Sequence, residues 1–197
     1  MKKARLVVAV TGASGSIYAR RLFTHLESVP ALEVAVVFSR NAREIWRHEL
    51  GAEAAAPFRI YDERDFCAPF ASGSSLFDRM VLIPCSTGTL ARIAHGVTDN
   101  LITRGAEVML KERRRLVCVL RETPLSLVHI DNMRLVTCAG GIVCPATPSF
   151  YSQPQSIDDV VDTVVFRALD LLDLPSPARR WGDYPMRGGA GDTAPSA

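Results

Sequence analysis

The chain has 197 residues, of which 48% are hydrophobic and 22% are charged, and its formal net charge is +2. These values fit one globular domain with its own core, and so small a net charge gives no reason to expect nucleic acid or an anionic membrane as a partner. The five cysteines include no C-x-x-C pair, and with four scattered histidines they form no zinc pattern. We therefore expect reduced cysteines, a cytoplasmic protein, no metal and no membrane span.

The first predicted strand, Val7–Val10, runs into a turn rich in glycine and serine and then into a helix. Glycines let backbone amides approach a ligand, and a helix N-terminus favours negative charge, so the turn predicts a phosphate site. The spacing is not that of a P-loop, because Ser16 and Ile17 follow Gly15. It is not the dinucleotide fingerprint either, because Tyr18 stands where the third glycine would be. A turn without any ligand stays open as the alternative.

Strands and helices alternate along the rest of the chain. We predict strands at 33–38, 80–83, 116–120 and 141–144, and helices at 41–56, from 90, at 99–113, 124–139 and 156–172. This alternation indicates a parallel sheet with helices on both faces. Segment 57–75 has no regular pattern, and its apolar part, 66–75, is expected to cover a ligand or to lie in a subunit contact. We expect one domain, 1–174, and a partly disordered C-terminal arm, 175–197, whose Trp181 is a candidate contact with a neighbouring subunit.

Polar turns follow four of the predicted strands, at 11–16, 39–40, 85–89 and 121–122. Ligands of such folds bind outside the carboxyl ends of the strands, so the convergence of these turns favours a ligand site. Cys85 precedes its turn and has no obvious base nearby in sequence, so we expect it in the core rather than as a nucleophile.

Six segments together resemble the UbiX-type flavin prenyltransferases: TGASGSIYARRL, FASGSS, PCSTGTLARIAHGVTDNLITR, LKERR, RETPLS and FYSQPQS. The match runs in order from the first strand to about Leu172. The resemblance implies a flavodoxin-like, Rossmann-like three-layer αβα sandwich that assembles as a homododecamer. It also implies transfer of a dimethylallyl group from dimethylallyl phosphate to N5 and C6 of reduced FMN, without a metal. The product, prenylated FMN, would serve a UbiD-type decarboxylase.

The resemblance also implies roles for individual residues. Those matched to FMN binding are Gly12, Ala13, Ser14, Ser39, Ser86, Thr87, Gly88, Thr89 and Arg121. Those matched to the prenyl phosphate are Lys111, Glu122, Tyr151 and Arg167, with Glu49 arriving from a neighbouring subunit. Glu122, Lys111 and Glu49 are the candidate catalytic residues, and Glu122 is the candidate for proton handling.

The residue types suit this chemistry, because the departing phosphate gains negative charge that Arg121, Arg167 and Lys111 could stabilise. Lys111 stands out further, since the only other lysines are Lys2 and Lys3. Ordinary roles stay open for several of them: a solvated helix end for Lys111, packing for Tyr151 and a surface position for Glu49.

Three other functions are consistent with parts of the pattern. A flavin-dependent cysteine decarboxylase of the same fold would need a different turn at 84–89 and a histidine between His48 and His95, where none occurs. An NADPH reductase is disfavoured by the glycine spacing and by the lack of a Tyr-x-x-x-Lys pair. An FMN carrier without chemistry stays open.

Overall fold

The computed structural model describes residues 4–178 and Gly182. Its strands form one sheet in which every neighbouring pair is parallel, in the order β3-β2-β1-β4-β5-β6. The strands are β1 (Arg5–Val10), β2 (Glu33–Phe38), β3 (Arg59–Tyr61), β4 (Arg79–Cys85), β5 (Arg115–Leu120) and β6 (Ile142–Pro145). Without the three-residue β3, this order is that of a flavodoxin-like sheet. The predicted flavodoxin-like, Rossmann-like fold is confirmed.

Helices cover both faces of the sheet. They are α1 (Ser16–Glu27), α2 (Arg40–Leu50), α3 (Thr87–Ala94), α4 (Leu101–Lys111), α5 (Leu127–Cys138) and α6 (Ile157–Leu171). One core cluster packs α1, α2 and α6 against the sheet, and the other packs α3, α4 and α5 against its opposite face. The sheet is therefore the middle of three layers, which explains why β1, β2, β4 and β5 are nearly continuous apolar runs.

The two edges of the sheet carry different features. We call the edge at the carboxyl ends of the strands the upper edge and the opposite one the lower edge. Segment 62–78 descends from upper to lower along α4: the amide of Leu101 donates to the Glu63 carbonyl at 2.7 Å, and Arg114 donates to the Phe77 carbonyl at 3.1 Å. At the lower edge, Arg115 donates to the Leu171 carbonyl at 2.7 Å and so caps the last turn of α6.

Several predicted boundaries are wrong. The helix predicted at 124–139 begins at Leu127, because the Ser126 side chain accepts the His129 amide in a capping box. The helix predicted at 41–56 ends at Leu50, because Gly51 takes a left-handed conformation with φ 68°. β3 was missed, since three residues are too few to show a period.

Segment 66–75 also differs from its prediction. Ala68, Phe70 and Ala71 are buried in the core of their own chain, while Phe66 is exposed. Most of its apolar content is therefore explained without a ligand or a neighbour. Cys85 is fully buried, as predicted.

No helix in the described part of the chain is long and apolar enough to cross a membrane. Most of the predicted arm, with Trp181, lies outside the described residues.

Candidate active site

Hydrogen bonds join the predicted polar turns at the upper edge. The Arg121 guanidinium donates from Nε to the Ser14 carbonyl at 3.0 Å, linking the turn after β5 to the turn after β1. The Thr87 hydroxyl and the Glu122 carboxylate are 3.3 Å apart, which links the turns after β4 and β5. The structure therefore brings Ser14, Thr87, Arg121 and Glu122 together within one chain, as the sequence predicts.

Thr11 connects the turns after β1 and β4 from below. Its hydroxyl donates to the Pro84 carbonyl at 2.9 Å and accepts the Ser86 amide at 2.8 Å, and the residue is 1% exposed. β1 and β4 are the neighbouring strands at which the strand order reverses, the place where sheets of this class bind ligands. A buried hydroxyl thus fixes the floor of that crevice.

The glycine turn already holds an anion, which is the carboxylate of Glu49. The amides of Gly15 and Ser16 donate to it at 3.0 and 2.7 Å. Burial would raise the pKa of Glu49, but hydrogen bonds from Ser14, Ser16 and Gly15 outweigh burial and lower the pKa below its ordinary value. The amides of the glycine turn are therefore arranged to bind negative charge, and the Glu49 carboxylate of the same chain accepts two of them. Glu49 thus contacts the glycine turn of its own chain, and its role in the site of a neighbouring subunit stays a prediction.

The N-terminus of α3 offers the open donors at this edge. Ser86 caps the helix by accepting the Thr89 amide at 3.3 Å, and its hydroxyl donates to the Thr89 hydroxyl at 3.0 Å. Within residues 4–178, no group accepts a hydrogen bond from the amides of Thr87 or Gly88. Because the first amides of a helix lack partners within it, this turn is suited to bind a phosphate or a flavin carbonyl.

Close packing explains one of the glycines and shows why the turns after β1 and β2 lie together. A Cβ on Gly12 would lie 2.7 Å from the Cβ of Asn41 in the first turn of α2, so a larger residue would push the two turns apart. Ser39 caps α2 by accepting the Ala42 amide at 3.2 Å, and Ala13 is buried beside this contact. The predicted Gly12, Ala13 and Ser39 therefore border the crevice.

The comparisons with known proteins agree with this geometry. The flavoprotein family model matches residues 1–169. The flavin prenyltransferase UbiX of Methanothermobacter thermautotrophicus is 44% identical over 181 residues, which cover 89% of this chain and 94% of that protein. This chain belongs to the UbiX flavin prenyltransferase family.

Solved structures of similar proteins extend the match to three dimensions. The crystal structure of AnUbiX (PadA1) in complex with FMN and dimethylallyl pyrophosphate is 41% identical, with a TM-score of 0.85, covering 91% of this chain and 98% of that one. A dodecameric FMN-dependent UbiX-like decarboxylase from Escherichia coli O157:H7 is 40% identical, with a TM-score of 0.85, covering 90% and 98%.

Lys111, which the UbiX resemblance assigns to the prenyl phosphate, lies far from the upper edge of its own chain. It ends α4 four residues before Arg115, the first residue of β5, and its ammonium pairs with Glu112 at 2.5 Å. Arg121 follows Arg115 by six residues along β5, which separates it from this lower edge by about 20 Å at roughly 3.3 Å per residue. That distance exceeds the length of a lysine side chain, so Lys111 and Arg121 of the same chain cannot meet.

The other two residues that the UbiX resemblance assigns to the prenyl phosphate lie on the α6 side. Tyr151 is 64% exposed in the loop between β6 and α6, and Arg167 is exposed on α6 itself. Arg167 lines a cavity of about 630 Å³ beside Cys144, whose pKa is raised by burial although the charge of Arg167 opposes the shift. None of the residues that the structure assigns to this cavity belongs to the four turns.

Two residues of this UbiX-family site were not predicted. The sequence analysis predicted Thr11 only as the first residue of a turn. Its position directly after a buried strand could have indicated a buried hydroxyl that bonds the neighbouring turn. Tyr18 lies near Arg121: burial raises the pKa of its phenol and the positive charge of Arg121 partly offsets that shift. Its only signal was an aromatic residue in place of the third glycine.

Proposed function

We propose that this chain is a flavin prenyltransferase that joins the dimethylallyl group of dimethylallyl phosphate to N5 and C6 of reduced FMN. The observation that carries the proposal is the cluster at the upper edge, where the open α3 N-terminus, Arg121 and Glu122 meet in a chain of the UbiX family. The AnUbiX structure, which contains FMN and dimethylallyl pyrophosphate, supports both ligands.

In this proposal the crevice at the upper edge binds FMN. Open amides at Thr87 and Gly88 suit an anionic or carbonyl oxygen, and the glycine turn brings backbone close enough for contact with a flat ring. Reduced FMN supplies the electron-rich atoms that take the prenyl group. The binding residues are Gly12, Ala13, Ser14, Ser39, Ser86, Thr87, Gly88, Thr89 and Arg121.

Arg121 and Glu122 then have separate roles. The Arg121 guanidinium is fixed by the Ser14 carbonyl, so its charge is preorganised for the phosphate that leaves the allylic carbon. The Glu122 carboxylate accepts the Thr123 amide at 3.1 Å and faces the Thr87 hydroxyl. In this proposal Glu122 takes the proton that leaves C6 when the second bond forms.

The remaining candidates reach the site from other copies of the chain. Lys111 lies at the lower edge, and Tyr151 and Arg167 lie on the α6 side, so a complete site needs more than one chain. The dodecameric relative supports this arrangement, and we propose a homododecamer. Glu49, in contact with the glycine turn of its own chain, would shape the crevice and remains a candidate catalytic residue there.

We further propose that prenylated FMN passes to a UbiD-type decarboxylase and that the enzyme works in the cytoplasm. The five cysteines, all free thiols, support a reducing compartment.

The deciding experiment is mass spectrometry of the flavin released after anaerobic incubation of the protein with reduced FMN and a dimethylallyl donor. One arm contains the monophosphate and the other the pyrophosphate, both without added metal. We expect a flavin heavier by one five-carbon unit with the monophosphate. Unmodified FMN in both arms would point instead to a carrier, and failure to bind flavin would contradict the proposed crevice.

A further inference from the structure

Gly73 lies directly against the ion pair of Lys111 and Glu112 at the lower edge. A Cβ on Gly73 would lie 2.6 Å from the Lys111 ammonium and would overlap the Glu112 carboxylate, so the two charged groups occupy the space where a side chain would begin. The φ angle of Gly73 lies outside the left-handed region, so an alanine can adopt the same backbone conformation. Glycine is therefore required here by the ion pair rather than by the turn.

The turn that contains Gly73, residues 72–75, is fixed on both sides. Arg114 donates from Nη2 to the Gly73 carbonyl at 2.6 Å and from Nη1 to the Phe77 carbonyl at 3.1 Å. Phe70 and Phe77, which flank the turn in sequence, are both buried, and their ring centroids are 5.6 Å apart. A larger residue at position 73 would therefore displace the flexible ends of the two charged side chains rather than the backbone.

The ion pair orders the ammonium of Lys111 and still leaves it open to a ligand. An ammonium has three N–H donors, and the bond to Glu112 at 2.5 Å uses one of them. The side chain of Lys111 is 44% exposed. The hydrogen bond and charge of Lys111 lower the pKa of Glu112 below its ordinary value of 4.5, so the carboxylate is ionised at neutral pH and keeps its hold.

A lysine benefits from such ordering because its charge lies at the end of a flexible four-carbon chain. Fixing that chain costs conformational entropy, and a side chain that is ordered before the ligand arrives loses less on binding. We propose that Gly73 is a positioning residue, which keeps the Lys111 ammonium, through its pair with Glu112, where it meets the phosphate of the prenyl donor. This inference rests on the proposed function, which assigns that phosphate to Lys111.

A cycle of binding measurements tests the assignment without requiring turnover. Protein loaded with oxidised FMN is titrated with dimethylallyl phosphate by isothermal titration calorimetry, and its affinity for FMN is measured separately. We expect Gly73→Ala to weaken binding of dimethylallyl phosphate about tenfold, which is part of what one charge-assisted hydrogen bond contributes. The affinity for FMN should not change. Lys111→Ala should weaken donor binding by itself, and adding Gly73→Ala to it should cause no further loss.

Three results would overturn the positioning role of Gly73. The first is equal weakening by Gly73→Ala with and without Lys111, because Gly73 would then act without the lysine. The second is unchanged donor binding in Gly73→Ala. The third is a loss of the wild-type assembly mass in Gly73→Ala, measured by native mass spectrometry, since residue 73 would then support the fold rather than the ion pair.

Ser74→Ala is the matched control within the same turn. Ser74 is the exposed neighbour of Gly73, and its hydroxyl lies 3.1 Å from the hydroxyl of Ser72. We expect this variant to bind dimethylallyl phosphate as the wild type does. A loss as large as that of Gly73→Ala would assign the effect to the turn as a whole and contradict the specific role of Gly73.

The same measurements separate this inference from the proposed function. Donor binding that depends on Lys111 but not on Gly73 would overturn the inference alone. Unchanged donor binding in Lys111→Ala would remove Lys111 from the proposed site, and the inference with it. A protein that shows the expected cycle but never prenylates FMN would overturn only the proposed activity.

Discussion

The hydroxyl of Thr11 is the link between the two backbone segments that border the crevice, accepting the amide of Ser86 at 2.8 Å and donating to the carbonyl of Pro84 at 2.9 Å. Both bonds lie directly beneath the turn whose amides are open to a ligand. The hydroxyl of the buried Thr11 therefore positions α3 relative to β1.

Replacing Thr11 by valine should weaken FMN binding about tenfold, the change produced by about 1.4 kcal/mol, because the Ser86 amide and Pro84 carbonyl lose their shared partner. Thr11→Ser keeps the hydroxyl and should restore most of the affinity, measured by quenching of flavin fluorescence. The control is Thr103→Val, since Thr103 is also 1% exposed but bonds Asp99 and Asn100 at the start of α4. Equal losses in both valine variants would argue against a positioning role for Thr11.

Glu49→Gln should lower the melting temperature at pH 7 by about 2 °C, because a carboxylate at a helix N-terminus is favoured over a neutral amide. The pKa of Glu49 lies below its ordinary value of 4.5, so its contribution is present above pH 4.5 and is lost as the pH falls through the lowered pKa. The difference between wild type and variant should accordingly shrink at acidic pH.

Thermal unfolding followed by circular dichroism at several pH values checks the Glu49 prediction. Glu44→Gln, on the same helix, is the control, because its pairing with Arg40 at 3.6 Å is exposed and contributes little. A pH-independent difference for Glu49→Gln would show that the carboxylate charge is not the cause.

Arg121→Ala should lose both FMN binding and prenylation, because the guanidinium joins the turns after β1 and β5 and adds a fixed positive charge to the proposed crevice. Flavin retention after gel filtration and product mass measure the two effects separately. Arg134→Ala removes an arginine that makes only a long, exposed pairing with Asp131 at 3.7 Å, and it should leave both properties unchanged. Full flavin retention in Arg121→Ala would remove this residue from the binding site.

Mixed assemblies test whether a site draws residues from several chains. Arg121→Ala and Lys111→Ala should each be inactive alone. Random co-assembly of the two in equal amounts should restore about a quarter of the wild-type rate. A site is then active when one chain supplies an intact Arg121 and its neighbour supplies an intact Lys111. Co-expressed chains with different affinity tags provide the mixed protein. If the mixture stayed inactive although tandem purification showed mixed assemblies, the shared site would be contradicted.

Much of the fold could be predicted because it follows from hydrophobic runs and the residues that end them. Buried strands such as β2 show their bounds directly, as do helices that begin at a strong cap such as Ser156. Short elements and local caps were harder. β3 has only three residues, and the start of α5 depends on the reciprocal bonds of Ser126 and His129, which a proline three positions earlier obscured.

The site was predictable where the chain order alone places residues at the upper edge. Ser86, Arg121 and Glu122 each follow a strand, and the parallel sheet gathers them. The Glu49 contact could not be predicted in this way, since it depends on how α2 packs beside α1. For Lys111 the reverse holds. The resemblance singled out the residue, but the sequence did not show its position, and only the structure places it at the lower edge.

The position of Lys111 at the lower edge also has a consequence for inheritance. If this lysine serves the crevice of a neighbouring chain, a mutation there leaves the crevice of its own chain intact and damages one that belongs to another. A cell that carried a normal and a mutant copy of the gene would build mixed assemblies in which some normal chains lose their lysine, while an equal share of mutant chains receive one from a normal neighbour. About half of the crevices would then be complete, the same share that deletion of one gene copy leaves, so loss at Lys111 should not be dominant.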